Sequence, residues 1–149
     1  MALLINMPGR SLDKLLARLQ QDIASDEIQV WPNLTAPEAI ELALVWQHPA
    51  GSLSGLPNLK GISSFGAGVD AILSDPDLPQ VPIARIVDPA LATNMAKFVL
   101  TQIQDHKLRL AQFRQQESEA LWKPKSQRPA NRIGILGLGQ LGAETARLL

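Results

Sequence analysis

"GILGLGQLGAETARLL" (Gly134–Leu149) decides the reading of this chain. A short apolar run ends in glycines and continues into helix-forming residues. Gly137, Gly139 and Gly142 stand at G-x-G-x-x-G spacing. In such a turn the first glycine allows a tight reversal, the second lets a pyrophosphate approach the backbone, and the third lets helix and strand pack closely. The free N–H groups of the helix start would then face the phosphates. With Arg132 and Ile133 in front, "RIGIL" is expected to be a strand. The context of strand, turn and helix favours a dinucleotide site over an ordinary glycine-rich turn. The acidic residue that reads the ribose, some 20 positions on, has no counterpart in these 149 residues, so NAD and NADP stay open.

Working back from that turn, the chain alternates short strand and helix signals. "ALLIN" (2–6), "EIQVW" (27–31), "ELALVW" (41–46), "GISSF" (61–65) and "PIARIV" (82–87) read as strands. Ser11 is a candidate N-cap for a helix carrying Leu12, Leu15, Leu16, Leu19 and Ile23. "VDAIL" (69–73) reads as a short helix. This alternation predicts an α/β fold, a parallel sheet covered by helices. From 94 to 118 the stripe Met95, Val99, Ile103, His106, Leu110 and Phe113 predicts one long helix. A polar, proline-bearing stretch at 119–131 predicts a linker.

Composition excludes several classes. Fourteen basic residues balance fourteen acidic ones, leaving no electrostatic footprint for nucleic acid or an anionic membrane. Cysteine is absent, which rules out disulfide and thiolate chemistry. His48 and His106 are too few for a metal site. No apolar run is long enough to span a bilayer and the N-terminus has no leader pattern, so a cytoplasmic location is expected.

Two further stretches suggest a ligand. "SFGAGVD" (64–70) puts two glycines between a strand and a helix, and such a turn can offer backbone N–H groups to a carboxylate. By itself it also reads as a plain connection. Trp46, in "VWQHP" (45–49), could line a cleft or simply pack. His48 is expected in a loop and His106 in a packing or interface position on the helix stripe. Neither has a neighbouring carboxylate and nucleophile suited to acid–base work.

Together these residues resemble the D-isomer-specific 2-hydroxyacid dehydrogenases. The resemblance rests on Gly66-Ala67-Gly68-Val69-Asp70, then the helix from about 94, then "RIGILGLGQLG". "LPNLKGISSFGAGVDAIL", "LALVWQHP" and "ESEALWKP" are similar to the glyoxylate/hydroxypyruvate reductase branch. It implies a flavodoxin-like substrate-binding domain at 1–93, a connecting helix and linker at 94–131, and the first βα unit of a Rossmann domain at 132–149. It implies that Ala67, Gly68 and Val69 bind the substrate carboxylate through their amides and that Trp46 lines the pocket. Met95, Gly137, Gly139, Gln140, Leu141 and Gly142 would face the cofactor. Lys97 stands where the family usually has a glutamate.

The implied activity is hydride transfer between NAD(P)H and a small 2-oxoacid such as glyoxylate or hydroxypyruvate. The family's catalytic arginine, its acidic partner and its histidine have no counterpart here. No catalytic residue is therefore assigned, and the chain is expected to be an N-terminal portion, inactive alone and with little cofactor affinity. The alternative is a non-catalytic module that binds small carboxylates or assembles with itself. An unpaired "RIGIL" strand is expected to pair with another copy or fold back onto the 94–118 helix, and with the exposed stripe of that helix it predicts a homo-oligomer built through the helix and the C-terminal segment.

Overall fold

The computed structural model describes residues 1–129 and 132–149. The chain divides into two compact units, Met1–Ile86 and Val87–Leu149. In the first, five parallel strands form one sheet: β1 (Ala2–Asn6), β2 (Ile28–Val30), β3 (Ile40–Val45), β4 (Gly61–Ser64) and β5 (Ile83–Ala84). Their order is β2-β1-β3-β4-β5, the flavodoxin-like winding. The strand order reverses beside β1, and ligands gather at the carboxyl ends near such a switch.

Every expected strand of this unit is present, though β5 keeps only two residues of "PIARIV". One side of the sheet is dry. Leu4, Ile40, Ala43, Val45 and Ile62 pack with Leu53, Leu56, Leu59 and Ile72. Helix α1 (Asp13–Leu19) presents its leucines half-buried. Ser11 is not its cap. Leu12 holds that position without a side-chain bond, and the Ser11 hydroxyl donates to Asp13 at 3.0 Å. Helix α2 (Asp70–Leu73) follows β4.

The second unit corrects the long-helix expectation twice. Helix α3 (Pro89–Leu108) starts before residue 94, because the Asp88 carboxylate accepts from the Ala90 N–H at 2.8 Å and Pro89 suits the first turn. It stops at Arg109, whose φ of +62° is left-handed, and α4 (Leu110–Ser118) begins there. The apolar stripe runs through this break, so periodicity could not show it. Beyond α4 the chain turns back. The Arg109 Nε donates to the Ser126 carbonyl at 2.7 Å and the Arg128 N–H to the Lys107 carbonyl at 2.9 Å. Positions 130 and 131 of the expected linker lie outside the described residues.

"RIGIL" (132–136) is not a strand among the described residues. A strand needs a hydrogen-bonded neighbour. This segment and α5 (Gln140–Leu148) instead border one cleft with Met95, Val99 and Ile103 of α3. The Thr93 hydroxyl donates to Glu144 at 3.1 Å, joining α3 to α5. Within this chain α5 packs against α3, while Leu136 and Leu138 stay exposed. No helix among the described residues is long and apolar enough to cross a membrane.

Candidate functional site

Past the sheet the ladder of the first unit continues for one more residue on two strands. The Trp46 N–H donates to the Asn6 carbonyl at 3.0 Å and the Phe65 N–H to the Val45 carbonyl at 2.9 Å. This sets Asn6, Trp46 and Phe65 side by side at the carboxyl ends of β1, β3 and β4. The loop from Gly66 to Val69 leaves that edge. The Ser64 hydroxyl donates to the Gly68 carbonyl at 2.8 Å, and the Ile86 N–H donates to the Gly66 carbonyl at 3.0 Å. The loop is therefore pinned through its carbonyls. Its N–H groups at Ala67, Gly68 and Val69 donate to no acceptor among the described residues.

Gly66 is required by contact rather than by dihedral angle. A Cβ there would run into the six-membered ring of Trp46. The half-buried tryptophan thus lies directly on the backbone of the loop. The structure brings all four expected substrate residues to one place: Trp46 as a wall, and Ala67, Gly68 and Val69 as free donors. A small cavity beside them is lined by Trp46, Gln47, Ser64, Gly68, Asp70 and Ile72.

Two features of this end escaped the sequence reading. Arg10, in the turn after β1, stacks its guanidinium 4.8 Å from the centre of Trp46 and 5.7 Å from that of Phe65. Only its position behind "MPG" at a strand end could have drawn attention to it. His48, expected in a loop without a carboxylate, is buried against Asp75, with Nε2 to Oδ2 at 3.0 Å. Asp75 also accepts from the Gly51 and Asp77 N–H groups, each at 3.0 Å. Burial alone would raise the Asp75 carboxyl, but the two backbone donors and the His48 ring together hold it below the usual carboxylate range. The His48 side chain is fully enclosed, so the pair fastens the Gly51 loop to the end of α2 and does not face a ligand.

The second unit holds the other group of expected residues. Gly137 has φ +89°, a left-handed conformation suited to glycine. Gly139 caps α5 without a side-chain bond, and the first intrahelical bond runs from the Ala143 N–H to the Gly139 carbonyl at 2.8 Å. The N–H groups of Gln140, Leu141 and Gly142 thus lack helical acceptors. A Cβ at Gly142 would strike the Gly137 carbonyl, so the third glycine permits the close approach of turn and helix. This cradle fits a pyrophosphate: consecutive free donors, no obstructing side chain, and the positive end of a helix dipole. Met95 borders the cleft formed with Ile133, Ile135, Leu141 and Gly142.

Glu144 is pulled down to about 2, chiefly by its bond to Arg147, against a smaller opposing effect of burial and with help from Thr93. Lys97 is exposed and its side chain has no ion-pair partner among the described residues. His106 is also exposed, not packed, and lies against Arg128 at 3.3 Å. No cluster among the described residues could hold a metal.

No family model matches the chain. Its sequence is 33% identical over 142 residues to glyoxylate/hydroxypyruvate reductase A of Yersinia enterocolitica, covering 90% of this chain and 45% of that protein. The Serratia proteamaculans protein of that name is 32% identical over 151 residues, covering 95% and 48%. Among solved structures, a D-isomer specific 2-hydroxyacid dehydrogenase from Xanthobacter autotrophicus, in complex with NADPH and MES, superposes with a TM-score of 0.81 at 33% identity. It is matched over 98% of this chain and 49% of its own. The NADPH-dependent glyoxylate/hydroxypyruvate reductase of Sinorhizobium meliloti, in complex with NADP and sulfate, gives 0.74 at 29% identity, over 99% and 48%. The chain thus spans about half the length of the curated relatives it matches. In both sequence and backbone the chain is similar, over about half their length, to D-isomer-specific 2-hydroxyacid dehydrogenases.

Proposed function

We propose that this chain carries the substrate-carboxylate loop and the dinucleotide turn of an oxidoreductase. The reaction is hydride transfer between NAD(P)H and a small 2-oxoacid such as glyoxylate or hydroxypyruvate. The observation that carries this reading is the set of unpaired N–H groups at Ala67, Gly68 and Val69, held beside Trp46 while the loop carbonyls are bonded. Backbone donors fixed in this way suit a carboxylate and require no rearrangement on binding. We assign 1–93 to substrate binding, 94–131 to the connection and 132–149 to the start of the cofactor-binding part. The NADPH and NADP complexes of the Xanthobacter and Sinorhizobium proteins support a phosphorylated cofactor.

Bound nicotinamide supplies the hydride. This chain's part is to hold and orient. Gly137, Gly139, Gln140, Leu141 and Gly142 take the pyrophosphate, and Met95 is the apolar side chain against that turn. The loop amides fix the substrate carboxylate, and the Trp46 ring screens it from water. His48 is committed to Asp75 and enclosed, so none of the candidate residues is given acid–base work, and the intact chain alone is expected not to turn over.

The test is a titration of the intact, isotope-labelled chain with oxalate, followed by amide NMR. The Ala67, Gly68 and Val69 signals and the Trp46 indole should move together, with a dissociation constant of about 1 mM or weaker, some 4 kcal/mol. If these signals stay still at saturating oxalate, the carboxylate reading fails.

A second reading, a carboxylate-binding module that assembles with itself, draws on exposed apolar side chains. Trp122, Leu136 and Leu138 are 92%, 105% and 70% exposed, a pattern that favours burial by another surface.

A further inference from the structure

Arg10 occupies a turn closed by its own N–H donating to the Met7 carbonyl at 3.3 Å. Gly9, with φ +75°, redirects the chain there. The side chain returns across the strand ends and lays its guanidinium on two rings, 4.8 Å from the centre of Trp46 and 5.7 Å from that of Phe65. A guanidinium held over aromatic rings is attracted by their faces while its N–H groups can still meet an acceptor. Arg10 has no ion-pair partner and no side-chain hydrogen bond among the described residues. Arginine carries five donors, and none of them is spent on a group of the described residues.

The rings that hold Arg10 are the same ones that hold the loop. Trp46 fills the space that a Cβ at Gly66 would need, and Phe65 precedes Gly66 directly. One indole is therefore in contact both with Arg10 and with the loop that carries the amides of residues 67–69. On the other flank, the Asp70 carboxylate lies 3.6 Å from where a Cβ on Gly68 would stand. A ligand with two negative charges would meet repulsion from Asp70, and a cation on the Trp46 side offsets it.

We propose that Arg10 is a specificity-determining residue for this site. It takes an oxygen acceptor at the far end of the ligand, best a second carboxylate, while the first carboxylate rests on the Ala67, Gly68 and Val69 amides. The substrate class is then small 2-oxoacids and 2-hydroxyacids with an anionic or oxygen-bearing far end, in preference to glyoxylate, which has nothing to offer there. A guanidinium fork meeting a carboxylate is the geometry of bidentate recognition. This inference rests on the carboxylate reading of the 66–69 loop.

The experiment uses the intact chain and two probes with the same 2-hydroxyacid head. Glycolate ends there, whereas tartronate adds a second carboxylate. Both should shift the Ala67, Gly68 and Val69 amides, and tartronate should bind about tenfold more tightly. Arg10→Met keeps the stem over the rings and removes the donors, and it should bring tartronate down to the affinity of glycolate without changing glycolate itself. Arg10→Lys, which keeps charge but not the fork, should retain a smaller preference. Equal binding of the two probes by the unaltered chain, or a preference that survives in Arg10→Met, overturns the assignment to Arg10 and leaves the loop reading intact. If neither probe moves the loop amides, the loop reading falls and this inference with it.

Discussion

Three groups donate to Asp75: the His48 ring and the N–H groups of Gly51 and Asp77. Removing the carboxylate leaves the enclosed His48 ring and both N–H groups without this acceptor. Asp75→Ala should therefore destabilise the first unit by about 3 kcal/mol at neutral pH, measured by urea unfolding. The sign with pH is fixed by the direction of the shift. A carboxyl held below its ordinary value contributes stability above that ordinary value, about 3.9, and loses it as pH falls through the folded value. The gap between the native chain and Asp75→Ala should thus close as pH drops below about 4. A gap that stays constant well below pH ~4, where the carboxyl is protonated, would show that the carboxylate charge is not what holds the loop. None of this was legible in the sequence, because His48 and Asp75 are 27 positions apart and only the fold makes them neighbours. Arg10 was missed for the same reason. Trp46 and the 66–69 loop were singled out by the family resemblance, since taken alone the glycines read as a plain connection and the tryptophan as a packing residue.

Among the elements, glycine contacts separate two kinds of turn. A Cβ on Gly142 would collide with the Gly137 carbonyl, while a Cβ on Gly134 meets nothing within 4 Å. Gly142→Ala should force the turn open and cost about 1–3 kcal/mol, seen as faster amide exchange along α5. Gly134→Ala should leave that exchange unchanged. Equal effects at both sites would mean that the packing of turn on helix does not matter. The glycine spacing made this turn readable, but the state of "RIGIL" was not. Apolar residues in a row suggest a strand, but a strand also needs a hydrogen-bonded neighbour. Here the segment borders α3 yet stays largely exposed, and the strand does not form among the described residues. The break at Arg109 was hidden because the stripe continues through Leu110 and Phe113. Ser11 lost the cap position to Leu12 by one residue, within the ordinary uncertainty of helix ends.

The whole chain is two units with separate packing, Met1–Ile86 around its sheet and Val87–Leu149 around α3 and α5. Alternating strand signals made the first legible almost in full, whereas the second depended on contacts that periodicity does not specify. One detail of the second unit bears on how long the molecule survives among proteases. Arg109 holds a left-handed backbone that costs an ordinary residue about 1 kcal/mol. Its Nε secures the Ser126 carbonyl, beside the Lys125–Ser126 bond that trypsin would attack. Arg109→Gly relieves the backbone and releases the tether together. Melting should change little, while trypsin should cut after Lys125 roughly fivefold faster, the effect of losing one exposed bond of about 1 kcal/mol. Cleavage at an unchanged rate would mean that the segment is guarded elsewhere. In that case the arginine would be a strained residue with no return. Otherwise a side chain at a helix break sets the lifetime of a peptide bond in a stretch without regular structure.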